Sequence, residues 1–345
     1  MFDGNDKITR YLSISKHSLQ SITGSYKLHT NIPFTRSLNQ SIPCDISYKR
    51  RKGEVKTVIH WGQRKLLMSE IEFLTLYSKN NDIVIYAGAA PGTHTNYLSK
   101  LFKNINFILI DPAPFNCKET NKIKIINDFF TNDLAEQYKN KQTLFISDIR
   151  SVDWSQSNDE EVEEKVKRDM DMQRKWVEIL QPRYSMLKFR LPWKDGNTKY
   201  FDGVIYLPVW GPVTTSESRL ITDGRRYREY NNINYENQMY YFNTIMRPSL
   251  YMEYKRLIKC KENSQGLDYC YDCTAEIFIL KQYLEKYNRS DSSDNVFIDI
   301  IHMSNSISGM LSSTRNLLSP NVDPGERKKH IIKKQYKKGK PVYNK

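Results

Sequence analysis

Two glycines and an aspartate carry the first chemical signal. The run Asp82-Ile83-Val84-Ile85-Tyr86-Ala87-Gly88-Ala89-Ala90-Pro91-Gly92-Thr93-His94-Thr95-Asn96-Tyr97-Leu98 reads as a buried strand that breaks into a glycine turn and opens a helix. Ile83 to Tyr86 suits a parallel strand covered on both faces, and Gly88 and Gly92 let backbone approach a ligand where a side chain would block it. Thr93 fits the helix N-cap. The next strand-like run, Asn106 to Ile110, ends in Asp111 about 20 residues on, where α/β folds place the carboxylate that accepts ribose hydroxyls. No Gly-Lys-Ser/Thr follows to hold a triphosphate, and Gly-x-x-x-Gly is not the dinucleotide fingerprint. A glycine turn plus a strand-end acid, without a phosphate cradle, suggests S-adenosylmethionine; the alternative is a plain βα turn with an exposed aspartate. Four further ionisable residues stand where ligands gather, at the ends of predicted elements: Lys65, Asp148, Lys188 and Glu217. Any one of them alone reads as a solvated or structural charge; the ordered set points to a site.

The elements that must position these residues follow from periodicity. Leu66, Leu67, Ile71, Leu74 and Tyr77 recur at helical spacing, which predicts a one-sided amphipathic helix over 62–79 carrying Lys65. After the glycine turn the pattern predicts a helix at 93–103, strands at 107–110 and 123–126, a helix at 131–139 and a strand at 143–147 that delivers Asp148. A helix over 157–180 begins with Asp159, Glu160 and Glu161, turns basic, and offers Val162, Val166, Met170 and Trp176 as an inner face. Lys188 lies near the end of a strand at 184–189, and Glu217 follows a strand at 203–207. Helices near 235–245 and 275–287 complete a Rossmann-like α/β fold with a mostly parallel sheet.

At 345 residues the chain can bury one large core, and one dominant domain is expected. The reading places a polar extension at 1–56, the catalytic domain at 57–320, and a basic, disordered tail at 321–345, acid-free after Glu326. A net charge of +14 with 23 tyrosines and 5 tryptophans suits a polyanion with stacking bases, and nucleic acid is the natural candidate. Met1 to Gln20 lacks the apolar core of a signal peptide, and no window approaches the roughly 18 apolar residues of a membrane span, so a soluble chain is expected. Five cysteines fit a reducing compartment. Cys260, Cys270 and Cys273 lack the fourth ligand of a zinc site, so no metal is expected.

Several blocks are similar to one known family. They are Gly62-Gln63-x-Lys65-Leu66-Leu67, Tyr86-x-Gly88-x-Ala90-Pro91-Gly92-Thr93-His94, Ile110-Asp111, Ile146-Ser147-Asp148-Ile149-Arg150-Ser151, Leu187-Lys188-x-Arg190-x-Pro192, Glu217-x-Arg219-Leu220 and Asn234-Tyr235-Glu236-x-x-Met239-Tyr240-Tyr241. In these the chain resembles the poxvirus cap-specific mRNA nucleoside-2'-O-methyltransferases, which also serve as the small processivity subunit of poly(A) polymerase. The resemblance runs in order from Gly62 to Tyr241.

That resemblance implies that Lys65, Asp148, Lys188 and Glu217 form a Lys-Asp-Lys-Glu tetrad. A ribose 2'-hydroxyl is a poor nucleophile, so the site must hold it in line with the methyl donor and remove its proton; Lys188 is the implied base. It also implies that Gln63, Tyr86, Gly88, Gly92, His94, Asp111 and Arg150 surround S-adenosylmethionine, with Phe129 and Phe130 near the adenine. N7-methylguanine is a cationic ring best held between aromatic faces with carboxylates at its edge. Trp193, in place of a phenylalanine, with Asp195 and Glu236 match the family's cap pocket. Tyr48 is the nearest candidate for the second aromatic, and a further pocket tyrosine falls at Thr214. Lys49 to Lys52, Arg183, Arg190 and Arg219 are expected to meet RNA phosphates. The implied partners are capped mRNA and a poly(A) polymerase catalytic subunit, in the host cytoplasm and the virion, with no membrane. Two other readings stay open: a 2'-O-methyltransferase of internal RNA positions, and a non-catalytic RNA-binding subunit of a poly(A) polymerase.

Overall fold

The computed structural model describes residues 33–49, 61–151, 159–211, 215–247, 267, 271–287 and 293–311. Most of the extension, Arg50 to Lys52, Thr214, Cys260, Cys270 and the basic tail lie outside the described residues.

Among the described residues ten strands run in chain order: β1 (Ser37–Leu38), β2 (Ile83–Ala87), β3 (Asn106–Ile110), β4 (Ile123–Ile126), β5 (Thr143–Ser147), β6 (Tyr184–Phe189), β7 (Asn197–Phe201), β8 (Val204–Tyr206), β9 (Ser218–Thr222) and β10 (Tyr227–Asn231). Eight of them form one sheet in the order β1-β8-β9-β6-β5-β2-β3-β4. The run from β6 to β4 is parallel throughout, as the continuous apolar stretches predict. β9 is absent from the expectation, yet every residue of it is buried, and it joins β6 and β8 antiparallel. β7 and β10 form a separate antiparallel ribbon whose polar outer residues hide its periodicity. The strand order reverses between β2 and β5, so a crevice opens beyond their carboxyl ends.

The helices are α1 (Trp61–Tyr77), α2 (Thr95–Leu101), α3 (Asn132–Tyr138), α4 (Asp159–Leu180), α5 (Asn232–Tyr241), α6 (Tyr271–Lys286) and α7 (Ser293–Leu311). α5 runs on into a π-helical turn at Phe242–Met246, so the helix expected near 235–245 is two pieces. α4 buries Val162, Val166, Met170 and Trp176 as expected. Helix α1 departs from the one-sided amphipathic reading, because Arg64 and every residue from Leu66 to Thr75 are buried. Burying charge costs several kcal/mol unless it is paired, and each is: Arg36 with Glu72 at 2.7 Å, Arg64 with Glu276, and Glu70 with Tyr86 and His94.

Thr93 is not the N-cap of α2. His94 occupies that position and makes no side-chain cap bond, because its ring is turned to Gln63 and Glu70. At α3 the side chain of Thr131 does cap, accepting from Leu134 N at 3.2 Å.

Candidate active site

Four elements converge at the crevice. Asp148 follows β5 directly, and its backbone N–H bonds to Ala87 O at the end of β2. Lys188 stands in β6, opposite Arg219 of the antiparallel β9, so both side chains project on one face. The antiparallel direction of β9 returns its start, and with it Glu217, to the carboxyl end of β6. Lys65 comes from near the start of α1. Its Nζ donates to Glu217 Oε1 at 2.7 Å, and Lys188 Nζ lies 3.1 Å from Asp148 Oδ1 and 3.7 Å from Glu217 Oε2. The four expected tetrad residues are thus brought together.

Two arginines complete the cluster. Arg219 bonds to Asp148 at 2.7 Å and to Glu217 at 3.1 Å, and Arg150 bonds to Glu217 at 3.1 Å. Four cations therefore surround two carboxylates. Burial alone would raise the Glu217 carboxyl, but Lys188, Lys65, Arg219 and Arg150 overcome that and hold it well below the usual glutamate range. Burial pushes the Lys65 ammonium below the usual lysine range, with Arg219 and Lys188 adding to the effect and Glu217 opposing it. A site with excess positive charge favours an anion forming among its cations.

The expected cofactor residues divide into two sets. Asp111 stays partly exposed at the end of β3; Oδ2 accepts from Ala90 N at 3.1 Å and Oδ1 from Ala113 N at 2.8 Å, so it shapes the glycine turn and the loop after β3 together. Phe129, in the segment after β4, is 67 % exposed, a large apolar ring left uncovered. Phe130 belongs to the core instead, packed on Phe145 and Trp176. Tyr86 is 1 % exposed, and its hydroxyl donates to Glu70 at 2.7 Å. His94 Nδ1 lies 2.8 Å from Gln63 Oε1 and Nε2 lies 2.7 Å from Glu70 Oε2. Gly88 has φ +78°, and a Cβ there would lie 2.8 Å from Ile149 N; the close approach is to the chain's own backbone at Asp148 and Ile149. At Gly92, φ +59°, a Cβ would meet Cys117 Sγ at 2.9 Å.

The arginines expected to meet RNA phosphates are mostly engaged within the protein. Arg219 is 5 % exposed inside the tetrad cluster. Arg190 is buried and paired with Glu163, and its guanidinium stacks 4.3 Å from the Trp193 ring centre. Arg183 ties Tyr77 O to the buried Asp82. Lys49 remains exposed. The expected cap residues share a neighbourhood in part: Trp193 N donates to Glu163 at 2.9 Å, and burial raises the Glu236 carboxyl, with Arg190 opposing and Glu163 adding. Tyr48 N donates to Asn237, next in chain to Glu236, and its ring meets Tyr240 edge-on at 5.5 Å. Asp195 is exposed and accepts from Gly196 N.

Three supporting residues escape the sequence reading. Glu70 is fully buried behind Tyr86 and His94; a carboxylate inside an apolar helical run was its only signal. Asp169 accepts from Ser151 N and Oγ and so fixes the loop after Asp148. Gln173 donates to Lys188 O at 3.1 Å. Among the described residues no His, Cys, Asp and Glu group is arranged to hold a metal, and no helix is long and apolar enough to cross a membrane.

Comparison with known proteins matches residues 34–318 to a family described as the poly A polymerase regulatory subunit. A cap-specific mRNA (nucleoside-2'-O-)-methyltransferase of fowlpox virus (strain NVSL) is 31% identical over 223 residues, covering 56% of this chain and 70% of that protein. A protein of the same name from myxoma virus (strain Lausanne) is 29% identical over 216 residues, covering 56% of this chain and 63% of its own length. Among solved structures, bluetongue virus VP4, described as a multifunctional RNA-capping production-line, matches at 13% identity over 50% of this chain and 30% of that one, with a TM-score of 0.39.

Proposed function

The chain belongs to the poly A polymerase regulatory subunit family, and from that premise we propose that it is a cap-specific mRNA 2'-O-methyltransferase. It moves methyl from S-adenosylmethionine to the ribose 2'-hydroxyl of the first transcribed nucleotide of N7-methylguanosine-capped RNA, cap 0 to cap 1. The observation that carries this reading is the meeting of Lys65 with Glu217 at 2.7 Å and of Lys188 with Asp148 at 3.1 Å, at the carboxyl end of a mostly parallel sheet. The relatives of the same name are poxvirus proteins, which supports a viral protein at work in the host cytoplasm and, as a further step, in the virion.

The residues present fit the cofactor. Asp111 supplies a strand-end carboxylate for the ribose diol, the uncovered Phe129 ring a face for the adenine, and Gln63 an amide held by His94. Bound S-adenosylmethionine supplies an electrophilic methyl group on its sulfonium. The rest is done by the protein: Lys188 Nζ takes the 2'-hydroxyl proton, Asp148 and Glu217 fix its direction, and Lys65, Arg150 and Arg219 stabilise the oxyanion as it forms. Transfer is tested by digesting methylated capped RNA and locating the label on the 2'-oxygen of the first nucleotide; label on an internal residue would support the internal-position enzyme instead. Asp111→Ala removes both backbone bonds as well as the ribose contact, so affinity for S-adenosylmethionine by calorimetry falls about tenfold or more, the worth of one or two hydrogen bonds to a charged group. An unchanged affinity removes Asp111 from the site.

Trp193, Glu236, Asp195 and Tyr48 are the proposed cap contacts. Because burial raises the Glu236 carboxyl, its charge is lost on acidification earlier than that of an ordinary glutamate. Affinity for an N7-methylguanosine cap analogue therefore declines as pH falls from 7 toward the usual glutamate range near 4.5, and Glu236→Gln flattens that decline. A decline of equal steepness in the variant would assign the titration elsewhere.

The family description favours a second role, with RNA held for a separate poly(A) polymerase catalytic subunit. Tail elongation by that subunit, with and without this chain, tests it. The division into an extension at 1–56, a methyltransferase domain at 57–320 and a basic tail at 321–345 belongs to the same proposal.

A further inference from the structure

Helix α6 carries two buried acids one turn apart, Asp272 and Glu276, that take no part in the site described above. Glu276 is fully buried and accepts two bonds from Arg64, the Nε bond at 2.8 Å. Arg64 is the residue between Gln63 and Lys65; its Nη1 donates to Ser308 Oγ and its Nη2 also donates to Ser304 Oγ, both of α7 and both at 3.0 Å. The same carboxylate accepts the indole Nε1–H of Trp210 at 2.8 Å. Trp210 is 3 % exposed, adopts φ +60°, and its backbone N donates to Asp272 at 2.8 Å. A non-glycine residue is held in the left-handed region only where its surroundings over-determine it, and these two acids do so.

From Asp272 the contacts lead on to the catalytic carboxylate. Asp272 pairs with Arg247, whose Nη1 donates to Gly211 O at 3.0 Å and to Asn243 Oδ1 at 3.1 Å. Asn243 Nδ2 donates to Thr215 O at 3.0 Å, and Thr215 Oγ1 accepts from Glu217 N at 3.1 Å. The Lys65–Glu217 pair closes a ring of polar contacts. We propose that Glu276 and Asp272 are positioning residues, a common anchor on α6 that sets the helix bearing Lys65 and the loop bearing Glu217 in register with each other. Arg64 alone would orient only α1, and Arg247 alone only the loop; the two acids on one rigid helix face make the tetrad's tightest ion pair depend on a third element.

The proposal rests on the methyl-transfer reading, so its test includes a readout that does not need activity. Trp210→Phe removes one N–H from the ring and keeps an aromatic core, while Glu276→Gln keeps shape and removes charge. Tyr283→Phe is the control: it lies on the same helix and loses one buried bond, to Leu101 O at 2.9 Å, outside the ring. In Trp210→Phe and Glu276→Gln, kcat for methyl transfer falls about 10- to 100-fold, the scale of a misplacement of about 1 Å. KM for capped RNA and affinity for S-adenosylmethionine stay near wild type, and so does everything in Tyr283→Phe. Acylation of Lys65 by an amine-reactive probe, mapped by mass spectrometry, speeds up in the first two variants and not in the control. Unchanged labelling of Lys65 in folded Trp210→Phe, or an equal increase in Tyr283→Phe, overturns the anchor. If wild type transfers no methyl at all, the enzymatic reading falls while the labelling still decides whether α6 sets the Lys65–Glu217 pair.

Discussion

Lys188→Ala lowers the rate of methyl transfer to capped RNA by about 10²- to 10⁴-fold, the range found when a general base is removed, and leaves affinity for S-adenosylmethionine near the wild-type value. The separation is expected because Lys188 sits in β6 among Asp148, Glu217 and Arg219, whereas Gln63, Asp111 and Phe129, proposed for the cofactor, stand on α1, at the end of β3 and after β4. Lys188→Arg is the sharper variant. It keeps a cation beside Asp148 and Glu217, but a guanidinium cannot give up its proton in a protein. If Lys188 acts only as a positive charge, the arginine variant recovers most of the activity; if it takes the hydroxyl proton, the arginine variant is as inactive as the alanine. Single-turnover kinetics with saturating cofactor distinguish the two, and loss of cofactor affinity alongside activity would instead indicate a misfolded site.

Glu217→Ala damages both stability and catalysis. The carboxylate bridges Lys65, Arg150, Arg219 and Lys188. Without it, four cations share the single charge of Asp148, and breaking a buried pair in this way costs about 3–5 kcal/mol, tempered here by the 20% exposure of the side chain. A drop in melting temperature of several degrees is expected, with activity reduced at least as far as in Lys188→Ala, since Lys65 and Lys188 lose their common fixed point. The pH dependence gives a sign. Glu217 is held well below its ordinary 4.5, so its contribution is fully present above that value and is lost as pH falls through the depressed folded value. The gap in melting temperature between wild type and Glu217→Ala therefore narrows on acidification below the usual glutamate range. A gap that stays constant down to the acid limit would mean that the cations do not hold this carboxylate.

The parallel half of the sheet was legible because its three central strands are largely apolar runs followed by a turn or a charge: Ile83 to Ala87 before Gly88, Asn106 to Ile110 before Asp111, Thr143 to Ser147 before Asp148. The tetrad was legible through resemblance. Local pattern alone put its members at element ends without bringing them together, because Lys65 and Glu217 are 152 positions apart. What stayed hidden depends on pairing at long range. β9 reads as a short mixed segment, and only its antiparallel place beside β6 shows why Arg219 joins Asp148 and Glu217 instead of facing RNA. Arg190 reads as a free cation until Glu163 of α4 and the Trp193 ring are seen to cover it. Helix α1 reads as one-sided, but Arg64, Glu70 and Glu72 are buried because each is paired with a residue outside the helix. Thr93 looked like a cap for the same local reason; His94 takes the position because its ring has two partners from α1.

The central claim is that the cluster of Lys65, Asp148, Lys188 and Glu217 methylates the ribose next to an N7-methylated cap. The most direct measurement follows labelled methyl from S-adenosylmethionine into three otherwise identical short RNAs, ending in an N7-methylated cap, an unmethylated cap or a triphosphate. Transfer by the wild type confined to the N7-methylated cap is the predicted result. No transfer to any of the three, with cap-dependent RNA binding intact, would contradict it and leave an RNA-binding subunit built on a methyltransferase scaffold.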